Sequence, residues 1–292
     1  MMATFSIIAY DPANGDLGIA VQSKFLAVGA VVPWARAGVG AIATQSYAHT
    51  GYGSEGLRLL AAGLPAEETL ARLLEADEGR ELRQVGIVDA QGRAAAFTGA
   101  ECFAWAGHHV GLHYVCQGNI LVSEATVEAM ASSFEATGGP LADRLLAALT
   151  AGQAAGGDQR GQQSAALLIV REQGGYGGFN DRYLDLRIDD HPQPIAELQR
   201  LLVLYKLYFG KTTEEELLPL EESLTRELQE TLCALGHYEG PLHGRYDEAT
   251  EAALSCWTGI ENLEERLLPD ARIDPVVLDF LRERRRALST AT

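Results

Sequence analysis

The chain has 292 residues, of which 47% are hydrophobic and 22% charged, as is typical of a folded globular protein. Its formal net charge of −17 excludes a general nucleic-acid binder and a protein that binds anionic membranes, because both depend on clustered lysine and arginine. The sequence shows no signal peptide and no apolar run of the roughly 20 residues needed to span a bilayer, so we expect a cytoplasmic protein.

Strand and helix signals in residues 1–210 predict an α+β domain, in which antiparallel sheets carry layers of helix. The strand-like runs TFSIIAY and LGIAVQS flank a turn-rich segment, DPANGD, and GVGAIATQ continues the strand character. Leucine and alanine have helical spacing from Glu55 to about Glu75. The later elements are a hairpin with its turn at 90–92, helices at 124–135 and 141–151, two apolar strands, and a helix at 195–208.

The first hairpin brings Thr4 and Lys24 close together. Its Asn-Gly pair is a strong turn signal, but two registers remain open. A four-residue loop places Thr4 opposite Ser23, whereas a two-residue loop places it opposite Phe25. In both registers Lys24 lies within one residue of the partner of Thr4, and such neighbours have Cβ atoms roughly 5–8 Å apart.

A hydroxyl beside an ammonium has a use in catalysis. An amino-terminal threonine can attack a carbonyl with its own amine as the base, and a nearby lysine favours the neutral amine and the developing alkoxide. In the alternative interpretation, Thr4 only caps an edge strand and Lys24 only solvates its end.

Several segments resemble one bacterial and archaeal family of unknown function, DUF1028. They are the run from TFSIIAY to GVGAIATQ, and then GYGSEGLRLLAAG, CQGNIL, AALTAGQAAGGDQRGQQSAALLIV and DLRIDDHPQPIAEL, which together cover residues 4 to about 209 in order. The resemblance implies the fold of the N-terminal nucleophile (Ntn) hydrolases, a four-layer αββα sandwich. It also implies that Thr4 is the nucleophile.

Three residues precede Thr4, and a terminal nucleophile needs a free α-amine. Removal of the initiator methionine does not readily act before Met2, and initiation at Met2 leaves Ala3 first. Three alternatives therefore remain: Met1–Ala3 is trimmed, the natural start differs, or the protein does not use this mechanism.

Two polar segments are candidates for the rest of the site. CQGN places Gln117 and Asn119 at a strand end, where amides and a glycine N–H could bind an oxyanion or a substrate, and the alternative is an ordinary polar turn. GGDQRGQQS concentrates donors among glycines, and its arginine could clamp a carboxylate, although a structural Asp–Arg pair is an equal alternative. The candidate substrate-binding residues are Gln117, Asp158, Arg160, Gln163 and Ser164.

Other patterns are interpreted as structural, and we predict no cofactor and no metal. The acidic residues of DLRIDDH lack EF-hand spacing and are expected to be strand-end charges, and the HHxxxH stretch is expected near the surface. The glycines do not fit a phosphate-binding loop, and no Gly-x-Ser-x-Gly elbow is present. The cysteines are predicted to be reduced thiols. Hydrolysis through Ser6, Ser23 or Ser164 ranks low, because no His/Asp partner pattern accompanies them.

The C-terminal part is predicted to be a linker, 211–222, and a small all-α module of three helices, 223–292. LQETLCALGHYEGPLHGRYDEATEAAL resembles a peptidoglycan-binding-type module, and its glycines also serve plain turn geometry. The resemblance implies a wall-derived fragment as a possible ligand. Protein contact or oligomerisation is slightly favoured, and we expect a homodimer.

Two functions from different classes follow. The first is an Ntn-type amidohydrolase acting on a small amide or peptide-derived substrate, with Thr4 attacking, Lys24 tuning it and Asn119 or nearby N–H groups holding the oxyanion. The second is a non-catalytic binding or scaffold protein on the same fold, which acts through its C-terminal module. The mature amino terminus distinguishes the two.

Overall fold

A computed structural model describes residues 4–290, with side chains as far as residue 288. The contacts divide the chain into two compact units after Leu201. The elements of the first unit are β1 Thr4–Tyr10, β2 Leu17–Ser23, β3 Pro33–Arg36, β4 Gly40–Ser46, α1 Gly51–Ala61, α2 Ala66–Glu75, β5 Arg83–Asp89, β6 Ala94–Thr98, β7 Gly107–Gly111, β8 Tyr114–Asn119, α3 Ala125–Ala136, α4 Leu141–Ala154, β9 Ser164–Val170 and β10 Arg182–Ile188. Helix α5, Pro194–Phe209, contains the division.

The first unit contains two antiparallel sheets. The six-stranded sheet has the order β10-β9-β2-β1-β8-β7, which places β1 at its centre, and the four-stranded sheet has the order β3-β4-β5-β6. The predicted combination of antiparallel sheet and helix, with a helical C-terminal region, is confirmed.

The first hairpin has the register of the four-residue loop. Thr4 pairs with Ser23 and Tyr10 pairs with Leu17, so the alternative partner Phe25 is excluded. Gly15 closes the turn at a φ of 80°, a conformation that glycine adopts without steric cost, and its N–H donates to the carbonyl of Asp11 at 2.8 Å.

The two faces of β1 have different neighbours, because side chains alternate along a strand. Ser6 and Ile8 face the four-stranded sheet, since the Ser6 hydroxyl donates to Gln45 on β4 and Ile8 belongs to the apolar cluster between the sheets. Phe5 faces α4, where a methyl group added to Gly152 would come within 3.4 Å of its ring. The face that includes Ser6 also carries Thr4, so Thr4 lies on the inter-sheet side.

Helices cover the outer faces of both sheets. Leu70 and Leu73 of α2 pack with Ile42 and Ile87 of the four-stranded sheet. On the other sheet, α4 lies so close to β2 that a methyl group on Gly18 would come within 2.5 Å of the Leu145 side chain.

The segment 55–75, which has helical spacing in the sequence, forms parts of two helices. The first ends at Ala61, and the second begins at Ala66. Gly63 between them has a φ of 94°, and Pro65 follows within two residues, so the helix cannot continue through this segment.

The second unit has its own apolar core around the buried Trp257. Two-residue strands β11, Leu218–Pro219, and β12, Arg272–Ile273, pair with each other, so the predicted linker contains a strand. Its helices are α6 Glu222–Ala234, α7 Glu248–Ile260 and α8 Pro275–Thr290.

A buried glutamine explains part of the sequence pattern in the second unit. The Gln229 amide donates to the Arg245 carbonyl and to Thr250 Oγ1, and its oxygen accepts the Gly244 N–H at 2.9 Å. Gly244 has a φ of 75°. The pattern residues Gln229, Gly244 and Thr250 therefore build the turn itself.

No helix within residues 4–290 is long and apolar enough to cross a membrane. The four cysteines are free thiols, as predicted. Cys116 on β8 is fully buried, and burial raises the pKa of its thiol well above the usual range. Cys233 and Cys256 in the second unit are exposed.

Candidate active site

Thr4 lies at the start of the central strand, between a residue of each neighbouring strand. Its cross-strand partners are Ser23 on β2 and Asn119 on β8, and all three side chains are fully buried. The Thr4 hydroxyl donates to Ser23 Oγ at 3.2 Å. Thr4, Ser23 and the CQGN strand end therefore form one compact group.

A network of buried amides links this group to the second sheet. Gln45 on β4 donates to the Thr4 carbonyl at 3.2 Å and to Gln84 Oε1 at 2.8 Å, and it accepts the Ser6 hydroxyl proton at 2.7 Å. Gln84 on β5 takes part in five hydrogen bonds, because its Oε1 also accepts from Asn119 and its amide nitrogen donates to Thr98, Gly107 and Gly118. Gln84 therefore joins β4, β6, β7 and β8 at one point.

The network fixes the direction of each amide. The Gln84 nitrogen faces the carbonyls of Gly107 and Gly118, which can only accept, so its oxygen must face Asn119. Asn119 consequently presents its nitrogen to Gln84, at 2.9 Å. Its other atom, Oδ1, is buried and accepts no hydrogen bond from any residue of the described chain, and Gln117 Oε1 is in the same state.

Such acceptors are uncommon in folded proteins, because an unpaired buried polar atom costs about 1–3 kcal/mol. The site therefore holds two acceptors that no described donor fills, one on the partner of Thr4 and one on the partner of Ser6. An ammonium or amide N–H is the kind of group that would fill them.

Lys24, which is predicted to lie close to Thr4, has its hydrogen-bond partners in the 158–164 loop. Its side chain is exposed, and its ammonium donates to the Gln162 carbonyl at 3.1 Å. Its backbone N–H donates to the buried Asp158 carboxylate at 2.9 Å. Lys24 thus ties the end of β2 to the 158–164 loop, and its effect on the reactivity of Thr4 stays a prediction.

Most donors of the 158–164 loop are engaged within or beside the loop. Arg160 donates to Asp158 through its backbone N–H and its guanidinium, which is the structural pairing weighed above. Gln163 donates to the Ser23 carbonyl at 3.1 Å and to Asp190. The Ser164 hydroxyl accepts the Val28 N–H at 3.0 Å and donates to the Phe25 carbonyl. The loop therefore supports the strand ends around Thr4, and its role in binding substrate stays a prediction.

The sequence analysis did not identify Gln45 and Gln84. It also did not identify Thr98 and His108 as a hydrogen-bonded pair that contacts Gln84. Thr98 Oγ1 lies 3.0 Å from the Gln84 nitrogen and 2.9 Å from His108 Nδ1. Although His108 is exposed as a residue, partial desolvation of its ring, and then the neighbouring His109, lower its pKa, so the neutral ring is favoured. The available signal was a glutamine at an inward position of each of two strands, AIATQ and RQVGIVD.

The other polar patterns have ordinary partners. Asp185 lies in the middle of β10 and not at a strand end as predicted, and it pairs with Arg182 and Arg187 of the same strand. His108 and His109 are exposed, which agrees with their predicted place near the surface. Among the side chains that the structure describes, no three His, Cys, Asp or Glu residues come together as a metal site.

Two family models match the chain. The model described as a family of unknown function, DUF1028, matches residues 4–198, and the model described as "Putative peptidoglycan binding domain" matches residues 208–281. Among curated proteins, none matches.

Solved structures extend the comparison. The crystal structure of protein SPO2555 from Silicibacter pomeroyi, assigned to DUF1028, is similar with 33% identity and a TM-score of 0.64, covering 73% of this chain and 91% of that one. Anbu (ancestral beta-subunit) from Yersinia bercovieri has 11% identity and a TM-score of 0.32, covering 72% of this chain and all of that one.

Proposed function

The chain belongs to the family of unknown function DUF1028, and we propose that its N-terminal unit is an Ntn-type amide hydrolase with Thr4 as the nucleophile. The observation that carries this proposal is the surroundings of Thr4. Its hydroxyl is hydrogen-bonded to Ser23, and the Asn119 oxygen on the opposite neighbouring strand is buried without a described donor. A free α-ammonium on Thr4 is a donor of the right kind for that oxygen.

The packing of the elements supports an αββα order for this unit. The side chains of Ser6 and Gln117 hydrogen-bond to β4 between the two sheets. Helices α1 and α2 pack on the outer face of one sheet, and α4 packs on the outer face of the other. We propose that these contacts are those of a four-layer Ntn-hydrolase-like sandwich.

The reaction that suits this site is acyl transfer to Thr4 followed by hydrolysis. The α-amine of Thr4 takes the hydroxyl proton while Oγ1 attacks the amide carbonyl. The C–N bond then breaks, the leaving amine receives that proton, and the acyl group remains on Thr4 as an ester. Water attacks the ester, releases the acid and restores the hydroxyl.

In this proposal Asn119 accepts a hydrogen bond from the amine, and backbone N–H groups stabilise the oxyanion. The nitrogen of Asn119 already donates to Gln84, so this amide offers an acceptor more readily than a donor. Ser23 keeps the Thr4 hydroxyl oriented. Lys24, Arg160 and Gln163 retain their proposed roles in tuning and in orienting the substrate.

The decisive experiment compares two amino termini. One protein has the full chain, and the other lacks residues 2 and 3, so that removal of the initiator methionine exposes Thr4. Both are treated with a β-lactone, which acylates activated hydroxyl nucleophiles, and are analysed by intact mass and peptide mapping. We expect one adduct on Thr4 in the shortened protein, and in the full chain only after Met1–Ala3 has been removed.

Substitutions in the shortened protein separate the nucleophile from its surroundings. Thr4→Ala should abolish the adduct, Thr4→Ser should retain it, and Ser54→Ala, on the exposed start of α1, should label like the parent. An adduct that persists in Thr4→Ala, or a shortened protein that is folded but never labelled, would contradict the proposal.

A second candidate function concerns the C-terminal unit, which matches the peptidoglycan-binding family model. We propose that it binds a wall-derived fragment, while protein contact is the competing outcome. Cosedimentation of the full chain with purified peptidoglycan tests this directly. Retention of the full chain, with release by soluble wall fragments, supports glycan binding, and no retention together with a dimer in sedimentation equilibrium supports protein contact.

A further inference from the structure

A cavity of about 480 Å³ opens beside the strand ends that surround Thr4. It is lined by Thr98 at the end of β6, by Gly107 and His108 at the start of β7, and by Glu124 at the start of α3. Trp105 and Cys102, from the segment before β7, complete the wall.

The wall is held from inside by the amide network. Gln84 donates to Thr98 and to the Gly107 carbonyl, and the same residue accepts from Asn119. On the outside, Trp105 and Leu121 exchange backbone hydrogen bonds, at 3.4 and 3.1 Å, which joins the segment before β7 to the segment after β8. The cavity is therefore a fixed part of the strand ends.

The distance from Thr4 can be read from the sheet. Gly107 pairs with Gly118, and Gly118 pairs with Phe5. Two strand spacings separate Gly107 from Phe5, which is roughly 10 Å. A ligand that reaches from the cavity to Thr4 therefore needs a chain long enough to span that distance.

The charges of the lining favour a cation. Glu124 is the ionised side chain among the lining residues, it takes part in none of the ion pairs between described residues, and the lining contains no lysine or arginine. Burial raises the pKa of Cys102 and lowers that of His108, so the neutral thiol and the neutral ring are favoured.

Trp105 adds an aromatic surface to this acidic wall. Its ring lies against Gly107, where an added methyl group would come within 2.4 Å of it. A tryptophan face attracts cations, by about 0.5–1 kcal/mol at exposed sites. An alkylammonium can therefore use the carboxylate of Glu124, the face of Trp105 and a neutral imidazole together.

We propose that this cavity binds the ammonium end of a small primary amine, between Glu124 and Trp105. The consequence for catalysis rests on the proposed function: the substrates of Thr4 are then amides that carry a cationic amine, joined to the attacked carbonyl by a chain that crosses the strands between Gly107 and β1.

The test is a fluorescence titration of the full chain at low salt with butylammonium, 1-butanol and butyrate, which have similar length and different charge. We expect a saturable change in tryptophan emission with butylammonium alone. In Trp105→Phe the change should disappear, since Trp34 and Trp257 lie elsewhere. A similar response to all three compounds, or a signal that persists in Trp105→Phe, would overturn the proposal.

Charge-neutral variants identify the contact. Glu124→Gln should weaken butylammonium binding about five-fold, near the upper value for an exposed ion pair. Glu128→Gln, one turn later on α3 and also exposed, is the matched control and should bind like the parent. An unchanged affinity in Glu124→Gln would overturn the assignment.

The proposals about the amine site and about the nucleophile can be contradicted separately. Butylammonium should bind Thr4→Ala as well as it binds the parent, because binding does not need the hydroxyl. Loss of β-lactone labelling with intact amine binding would contradict the hydrolase alone. Labelling of Thr4 without amine binding would contradict the cavity assignment alone.

Discussion

The two ends of the inter-sheet interface are equally buried and are built from opposite chemistry. At one end Ile8, Ile19, Val88 and Val115 pack between the sheets, and at the other end glutamine, asparagine and serine side chains occupy positions on the same strands. Strand β5 shows the change within four residues, from Val88 to Gln84, and both side chains have no exposed surface.

Burial alone does not explain the polar end. Apolar side chains gain free energy on burial without further conditions, whereas a buried amide must recover its hydrogen bonds with water from the protein. Gln84 recovers them fully, but Asn119 and Gln117 each leave one oxygen without a described donor. Stability alone would favour the apolar solution at both ends, so the polar end points to function.

The largest expected effect comes from the centre of the network. Gln84→Met keeps nearly the same volume and removes five hydrogen bonds, leaving buried donors and acceptors unpaired. We expect a loss of about 4 kcal/mol in the free energy of unfolding, measured by denaturant titration. A loss below about 1 kcal/mol would mean that the polar end is not stabilised by this network.

The matched change at the apolar end is Val88→Ala on the same strand. It removes two buried methyl groups and leaves a small cavity, so we expect a loss of about 2 kcal/mol. The same denaturant titration measures it. If Val88→Ala lowers the free energy of unfolding by more than Gln84→Met does, the polar end does not depend on its hydrogen bonds more strongly than the apolar end depends on its packing.

A third substitution tests a buried amide without partners. Gln22, on the helix side of β2, is fully buried, and neither atom of its amide is hydrogen-bonded to a described residue. Gln22→Leu should therefore raise the free energy of unfolding, by about 1 kcal/mol. Destabilisation by more than this amount would indicate that Gln22 pairs with a bound water or ligand.

The smallest effect concerns protonation at the edge of the network. Because the pKa of His108 is lowered from 6.5, the unfolded chain binds this proton first. The contribution of His108 to stability is thus complete above pH 6.5 and decreases as the pH falls toward its folded-state pKa. An NMR titration should place the His108 midpoint below 6.5, and His109→Gln should move it part of the way back. A midpoint at or above 6.5 would contradict this.

Local patterns in the sequence predict the strand that carries Thr4 and the strand that forms a hairpin with it. The turn signal left two registers open, and the structure selects the one that pairs Thr4 with Ser23; it also places the CQGN strand end on the other side of Thr4. The break between α1 and α2 was also present in the sequence, as Gly63 and Pro65. The regular spacing of leucines across that break concealed it.

The inward glutamines could not be placed in the same way. Gln45 and Gln84 reach Thr4 and Asn119 only because two sheets pack face to face, and these contacts join residues 41 and 35 positions apart. Nothing in a local hydrophobic pattern specifies which strands of separate sheets will meet. The position of the Lys24 side chain likewise depends on the 158–164 loop, more than 130 residues away.

The buried thiol of Cys116 gives the natural chain its own reporter of opening. A thiol with a raised pKa and no exposed surface resists alkylation until its strand separates from the sheet, whereas Cys233 and Cys256 are open to reagents throughout. A short pulse of iodoacetamide, followed by mass spectrometry, therefore measures how often the N-terminal sheet opens at Cys116, without any engineered label. Because Gln117 is the next residue, the rate of Cys116 alkylation reports on opening of the sheet beside the amide network.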